Sequence, residues 1–174
     1  MKKTSFTKGS TSVFLLTILI VLVLSTTYLT NLADSQTTQG TVEIIPTIFC
    51  GKTTDQFNVI NGTKHDDRLR GTQGDDLIRG FGGDDRIIGG SGNDCLIGGV
   101  GTDIILGNNG DDVIEGNEGR DVIFGNNGND VIFGGPDNDR IYGHAGNDNI
   151  DGEDGFDSCK DHQGSNNIIN CEST

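Results

Sequence analysis

The sequence has few of the residues that build an ordinary hydrophobic core. It contains no tryptophan, one methionine and two prolines, and only 32% of its 174 residues are apolar, whereas 28 are glycine. A layered globular domain of this composition would have few side chains to bury. Two classes of chain remain, a disordered one and a repetitive fold that buries a narrow stripe of side chains.

Basic residues are also scarce. There are 12 lysine and arginine residues against 26 acidic residues, so the formal net charge is −14. Nucleic acids and anionic membranes both need a basic face on the protein that binds them, and the net charge argues against either partner. An acidic surface of this kind favours cations.

The first 33 residues differ in composition from the rest of the chain. Three lysines precede a continuous apolar run from Val13 to Leu24, which polar residues follow. This order is typical of a secretory signal peptide, and the run is shorter than the roughly 20 residues that a membrane span needs. We therefore predict a signal peptide over residues 1–33 and a secreted or cell-surface protein. The alternative is an uncleaved signal anchor, which would hold the chain on a membrane.

A nine-residue repeat occupies residues 62–160, in eleven consecutive copies without an insertion. Position one is glycine in every copy, and position eight is isoleucine or leucine in ten copies and Cys159 in the last. Position four is glycine except at His65 and Asp137. Position six is aspartate throughout: Asp67, Asp76, Asp85, Asp94, Asp103, Asp112, Asp121, Asp130, Asp139, Asp148 and Asp157.

The repeat resembles that of a known family. The copy over residues 89–97, GGSGNDCLI, is similar to the hemolysin-type calcium-binding (RTX) repeat G-G-x-G-x-D-x-U-x. The resemblance implies a β-roll in which each calcium ion lies between the turns of repeats i and i+2. The position-six aspartates and backbone carbonyls of the turns would bind it. The implied carbonyl ligands include those of Gly71, Gly74, Gly80, Gly83, Gly89, Gly92, Gly98, Gly101, Gly107, Gly110, Gly125 and Gly128.

The residues themselves support the same fold. Positions one to six hold glycine, asparagine and aspartate, which suit turns with positive φ, and positions seven to nine hold β-branched and aromatic residues that suit a three-residue strand. Two repeats then form one coil of eighteen residues. Because side chains alternate along a strand, position eight points inward in every coil. We predict an all-β fold, a parallel β-helix or β-roll solenoid.

Stacking the coils places the aspartates in two columns. Successive coils lie about 4.8 Å apart, and like charges about 5 Å apart repel by about 1 kcal/mol even in water. Carboxylate and carbonyl oxygens are the ligands that Ca²⁺ prefers, whereas Mg²⁺ needs a stricter octahedron. Columns of six and five turns give at most five plus four, or nine, sites. We expect the sites around Asp76 to Asp112 to be best formed.

Departures from the repeat are expected to weaken some sites. His65 and Asp137 replace the position-four glycine, Arg120 and Phe156 occupy position five, and Pro136 stiffens the ninth turn. Because metal-binding energy is folding energy in small metal-dependent domains, we expect the metal-free chain to be largely disordered.

The segments that flank the repeats are expected to cover the open ends of the solenoid. We assign residues 34–61 to a linker and an N-terminal cap, and residues 161–174 to a C-terminal cap. Four cysteines in an exported chain indicate two disulfides, for which three connectivities exist. Cys159 and Cys171 are near neighbours at the end of the repeats, so we pair them, and Cys50 is left for Cys95.

One stripe of apolar residues recurs at position nine with a spacing of eighteen: Ile88, Leu106, Phe124 and Tyr142. It has two interpretations, packing between neighbouring strands or a face for self-association or for a cell-surface polymer.

No catalytic motif accompanies the repeats. The sequence contains neither H-E-x-x-H nor G-x-S-x-G, and about 28 residues separate the predicted signal from the repeats. We predict that the chain is not an enzyme and is an extracellular structural or adhesion module that needs Ca²⁺ to fold. The alternative is an accessory toxin-like or secreted-enzyme fragment that has lost its catalytic domain.

Overall fold

The computed structural model describes residues 50–52 and 54–172. The predicted signal segment and residues 34–49 of the predicted N-terminal cap lie outside them. A 3-10 helix at Thr54–Gln56 precedes strands β1 (Asn58–Asn61), β2 (Arg68–Arg70), β3 (Asp76–Gly82), β4 (Arg86–Ser91), β5 (Cys95–Val100), β6 (Ile104–Asn109), β7 (Val113–Glu118), β8 (Val122–Asn127), β9 (Val131–Phe133), β10 (Arg140–Ala145), β11 (Asn149–Asp151), β12 (Ser158–Lys160) and β13 (Asn167–Ile169).

The strands form two parallel sheets that wind into a solenoid. Odd-numbered strands make a seven-stranded sheet in the order β1-β3-β5-β7-β9-β11-β13, and even-numbered strands make a six-stranded sheet in the order β12-β10-β8-β6-β4-β2. Each residue pairs with the residue eighteen positions later, as Ile105 does with Ile123. The predicted solenoid and its coil of eighteen residues are therefore confirmed.

Several strands are longer than the sequence predicts. β4 to β8 have six residues because positions one to three continue the pairing that positions seven to nine begin. Gly90, for example, pairs with Asn108 in the next coil. Positive φ is confined to positions two and four of the repeats, as at Asn108 (80°) and Gly110 (122°), and position one does not adopt it. The position-one glycine, which is present in all eleven repeats, needs another explanation.

Besides Leu77 and Cys95, which are buried at position seven, the core of the described residues is a ladder of position-eight side chains, as predicted. Ten of them are fully buried: Ile78, Ile87, Leu96, Ile105, Ile114, Ile123, Ile132, Ile141, Ile150 and Cys159. Burying one such aliphatic side chain contributes about 1.5–3 kcal/mol. Ile60, Leu69, Ile168 and Cys171 pack partly buried against the ladder. This core is one side chain thick, so its stability depends strongly on what lies around it.

The repeat pattern of the backbone extends beyond residue 160. β13 pairs in register with β11, which places Asn166 at position six and Ile168 at position eight of a twelfth repeat unit. Cys159 bonds to Cys171 and Cys50 to Cys95, with 5.8 Å between the Cα atoms of each pair. Covering of the core by the end segments remains a prediction. Within the described ranges, no helix is long and apolar enough to cross a membrane.

Candidate metal centre

The position-six aspartates are buried. Asp76 and every later member of the two columns expose 2% of their surface or less, and Asp67 is half-buried. Aspartate is almost never buried to this extent unless its charge is paired. The site is therefore defined by what each of these carboxylates contacts.

One carboxylate oxygen of each aspartate holds successive coils together. The backbone N–H of Asp94 donates to Oδ1 of Asp112 at 2.8 Å, and that of Asp112 donates to Oδ1 of Asp130 at 2.9 Å. The same bond recurs in both columns from Asp67 to Asp157. This hydrogen-bond ladder was not predicted from the sequence, in which the columns were interpreted as repelling charges and as calcium ligands, although the period of eighteen placed the residues in line.

The other oxygen, Oδ2, is buried without a hydrogen-bond partner in nine of the aspartates. They are Asp85, Asp94, Asp103, Asp112, Asp121, Asp130, Asp139, Asp148 and Asp157. Buried polar atoms in folded proteins are almost always paired, because leaving one unpaired costs about 1–3 kcal/mol, and more for a charged group. A repeated row of unpaired anionic oxygens therefore fits a cation or a proton at each one.

The first aspartate of each column is different. Oδ2 of Asp67 accepts hydrogen bonds from the backbone N–H of Thr63 at 2.7 Å and from its hydroxyl at 2.9 Å. Oδ2 of Asp76 accepts the equivalent bonds from Thr72 at 2.6 and 3.1 Å. We expected the best-formed calcium sites around Asp76 to Asp112. Asp76 differs from the other aspartates of this group because Thr72 already donates to its second oxygen.

Each unpaired oxygen lies beside the position-one glycine of its own repeat. A Cβ atom added to Gly134 would lie 2.6 Å from Oδ2 of Asp139 and 2.7 Å from the carbonyl oxygen of Gly152 in the next coil. The same pair of neighbours surrounds the other interior position-one glycines, such as Gly98 and Gly107. We call this space, between Oδ2 and the carbonyl of the next coil, the cradle. Glycine is needed at position one because a side chain would fill the cradle.

The predicted position-four glycines have a different environment. A Cβ atom at Gly101 or Gly110 would collide with the backbone carbonyl oxygen of the position-four residue one coil earlier. Both residues also have positive φ. These glycines therefore permit close contact between successive turns, whereas the position-one glycines bring their carbonyls to the aspartate oxygens.

Burial raises the pKa values of the nine aspartates with an unpaired Oδ2 in the metal-free chain. Loss of hydration is the largest cause. It raises the pKa of Asp112 to about 8, those of Asp121 and Asp130 to about 7, and that of Asp103 to about 6. Neighbouring aspartates raise these pKa values further, and the backbone N–H bond to each carboxylate lowers them. An ionised column is thus unfavourable near neutral pH unless a cation compensates its charge.

Most residues that depart from the repeat leave the cradle intact. Arg120 and Phe156 at position five are exposed, and Oδ2 of the adjacent Asp121 and Asp157 is unpaired like the others. Asp137 adopts the positive φ (86°) of the glycine that it replaces. Among the described residues, no group of three or more His, Cys, Asp or Glu side chains forms a metal cluster. Each cradle instead combines side-chain and backbone oxygens.

The family comparison agrees with this geometry. The profile of the RTX calcium-binding nonapeptide repeat, in four copies, matches residues 61–95, 97–132 and 124–159. The chain belongs to the RTX repeat family. The match to these repeats supports calcium binding. Proteins of the RTX repeat family are generally structural and typically secreted. No curated protein and no solved structure matches this RTX chain.

The donor set of the RTX chain fits calcium. Oδ2 of one repeat and the position-one carbonyl of the repeat two further on are hard oxygen donors, and such oxygens are the usual ligands of Ca²⁺. Threonine at position two is the sequence signal that distinguishes Asp67 and Asp76, and it did not enter the prediction of the sites.

Proposed function

We propose that this chain is a secreted or cell-surface structural module whose solenoid needs calcium to fold at neutral pH. The observation that carries the proposal is the set of nine buried Oδ2 atoms without a hydrogen-bond donor. Calcium, when bound, neutralises these carboxylates and links one coil to the next. Asp103, for example, would hold an ion together with the carbonyl of Gly116.

Nine unpaired oxygens support up to nine ions, but these positions are not the same as the nine inter-turn sites expected from the sequence. The expected sites between Asp67 and Asp85 and between Asp76 and Asp94 are less favourable for calcium, because threonine already donates to Oδ2 of Asp67 and of Asp76. Seven interior cradles remain, and two cradles beside Asp148 and Asp157 lie at the C-terminal end.

The folding requirement can be tested by titrating the purified, calcium-stripped chain with Ca²⁺ and, separately, with Mg²⁺. We expect Ca²⁺ to restore the β-sheet circular dichroism spectrum, with heat of binding measured in parallel by calorimetry. Mg²⁺ serves as the matched control, because it has the same charge but needs octahedral geometry. A spectrum that neither ion changes, or that both ions change equally, would contradict the proposal.

We further propose that the module attaches to an anionic surface polysaccharide through the outer face of its six-stranded sheet. This face, called the cationic face below, consists of the outward positions seven, nine and two of β2, β4, β6, β8, β10 and β12. Its basic residues are exposed: Arg68, Arg70, Arg86, Arg140 and Lys160. No aspartate or glutamate occupies these outward positions. The face therefore has the opposite sign to the chain as a whole.

The apolar stripe lies in the middle of the cationic face. Ile88, Leu106, Phe124 and Tyr142 are half-buried against one another in adjacent strands. The rings of Phe124 and Tyr142 stack with 5.0 Å between their centroids. Two copies meeting through this face would bring like charges together, so the stripe suits an anionic partner with apolar faces, such as a sulfated or carboxylated sugar chain, better than a second copy.

A shallow groove of about 590 Å³ adjoins the stripe. Its lining includes Arg70, Gln73, Ile88, Ser91 and Asn108. A guanidinium group, hydroxyl and amide groups above an apolar floor are suited to an acidic sugar, because they donate hydrogen bonds to its oxygens and contact its ring.

Binding of the calcium-loaded chain to immobilised heparin, dextran and polyphosphate tests this attachment. We expect binding to heparin alone, and a loss of about fivefold or more in affinity for Arg70→Gln/Arg86→Gln. The control is Arg120→Gln, which removes an exposed arginine from a turn. Equal binding to dextran would contradict the surface proposed here, as would an equal loss in the control. Equal binding to polyphosphate would indicate a general polyanion site instead.

A further inference from the structure

The twelfth repeat unit differs from the eleven before it at the two positions that build the cradle. Residues 161–169 continue the coil in register, as the pairing of Ile150 with Ile168 shows. Position six is Asn166, whose Oδ1 accepts the backbone N–H of Asp148 at 2.9 Å, as an aspartate does elsewhere. Position one is Asp161 where every complete repeat has glycine. The carboxylate absent from position six is thus present at position one.

Asp161 places its carboxylate in the cradle of Asp148. A Cβ atom added to Gly143 would lie 2.6 Å from Oδ2 of Asp161, and it would also contact Oδ2 of Asp148. In the interior repeats, the equivalent space is bounded by one aspartate oxygen and one glycine carbonyl. Here two carboxylate oxygens bound it.

Neither of these two oxygens has a hydrogen-bond donor. Oδ2 of Asp148 and Oδ2 of Asp161 are both buried and unpaired, and Asp148 as a whole exposes only 2% of its surface. Ionised carboxylates are acceptors only, so the two cannot satisfy each other. Their repulsion grows as the surroundings become less polar. A cation between them removes both penalties.

The local chain geometry fixes Asp161 in this place. Its Oδ1 accepts the backbone N–H of Gln163 at 3.2 Å, which leaves Oδ2 directed to the cradle. The disulfide between Cys159 and Cys171 closes the loop that contains Asp161. Both carboxylates are therefore held next to each other in the folded chain.

We propose that Asp148 and Asp161 together bind a calcium ion in a terminal site whose second carboxylate comes from position one instead of position six. This inference rests on the proposed calcium binding of the interior cradles. Because two carboxylates bound this cradle, it retains its ion at a lower free calcium concentration than the interior cradles do.

Native mass spectrometry of the full chain in calcium, with its disulfides intact, tests the terminal site by counting bound ions. We expect Asp161→Asn to carry one ion fewer than the wild type. Asp112→Asn, in an interior cradle, is also expected to lose one ion, and Asp154→Asn, which removes an exposed carboxylate from a turn, is expected to lose none. If Asp112→Asn loses an ion and Asp161→Asn does not, the terminal site is wrong and the proposed function stands. If the wild type binds no calcium, the proposed function itself fails.

A glycine variant covers the case in which Asp161→Asn unfolds and loses several ions. Asp161→Gly removes the second carboxylate and restores the position-one glycine, so the cradle of Asp148 becomes equivalent to an interior cradle. We expect this variant to fold, as judged by circular dichroism, and to bind the wild-type number of ions in saturating calcium, but to lose the one ion that the wild type still retains at low free calcium. Identical ion counts for the wild type and Asp161→Gly at every free calcium concentration would overturn the proposal.

Discussion

Acid should replace calcium in stabilising this fold. In the metal-free chain, burial raises the pKa of Asp94, Asp121, Asp130 and Asp139 from an ordinary 3.8 to about 7, and that of Asp112 to about 8. A protonated Oδ2 is a donor that faces the carbonyl of the next coil, so the proton supplies the missing bond. An ionised Oδ2 has no such partner.

The sign of the effect follows from these pKa values. An aspartate with a higher pKa in the folded than in the unfolded state binds its proton more tightly when folded. The stability that it contributes is fully present below about pH 4 and is lost as the pH rises through about 7. A shift of about three pH units corresponds to about 4 kcal/mol for one aspartate. Two such residues reach about 8 kcal/mol, which is comparable to the whole free energy of unfolding of a typical domain, about 5–15 kcal/mol.

Thermal unfolding of the calcium-stripped chain, followed by far-UV circular dichroism, measures this dependence. We expect the midpoint at about pH 7.5 to be at least about 10 °C below that at about pH 4.5, or the chain to be unfolded outright at the higher pH. Calcium should restore the neutral-pH midpoint and should have little effect at the acidic pH, where protons occupy the carboxylates. A midpoint in the absence of calcium that stays constant or rises towards neutral pH would refute the reasoning.

Two substitutions test the cradle directly. Asp112→Asn keeps the Oδ1 acceptor and places an amide donor where Oδ2 was, so at neutral pH it should stabilise the calcium-free chain by several kcal/mol, measured as a higher melting midpoint. The exposed control Asp154→Asn should change it by less than about 0.5 kcal/mol; equal effects would contradict the assignment. Gly98→Ala should destabilise the calcium-loaded chain by about 1–3 kcal/mol or more and remove one ion, because its methyl group meets Asp103 and the next carbonyl. Gly74→Ala, with open space at its Cβ, should be tolerated in the same denaturant titration, and equal losses would count against the steric explanation.

Periodicity in the sequence was sufficient to predict the architecture. A nine-residue period with an aliphatic residue at position eight gives a buried ladder only if two repeats form a coil, and the pairing of residues eighteen apart confirms it. The same period identified Asp67 to Asp157 as one class of residue. The resemblance then supplied the ion, which the family profile supports.

Atomic detail within the class could not be predicted, because it depends on which neighbour each oxygen meets. Position-one glycine was attributed to backbone conformation, whereas the space beside Gly98 and its equivalents is what requires it. Asp76 differs from the later aspartates because both the backbone N–H and the hydroxyl of Thr72 donate to its Oδ2. The net charge likewise did not predict where the charged residues lie on the surface, because the winding of the chain brings basic residues such as Arg86 and Arg140 together on one sheet.

The central claim is that each unpaired Oδ2 is a calcium ligand. A crystal structure of the chain grown in calcium, with anomalous differences recorded at a long wavelength, tests it most directly. We predict an anomalous peak about 2.3–2.6 Å from Oδ2 of each interior aspartate from Asp85 to Asp139, and no peak at the threonine-bonded Oδ2 of Asp67 or Asp76. Interior Oδ2 atoms that bind water or a protein donor, with no anomalous peak beside them, would contradict the claim.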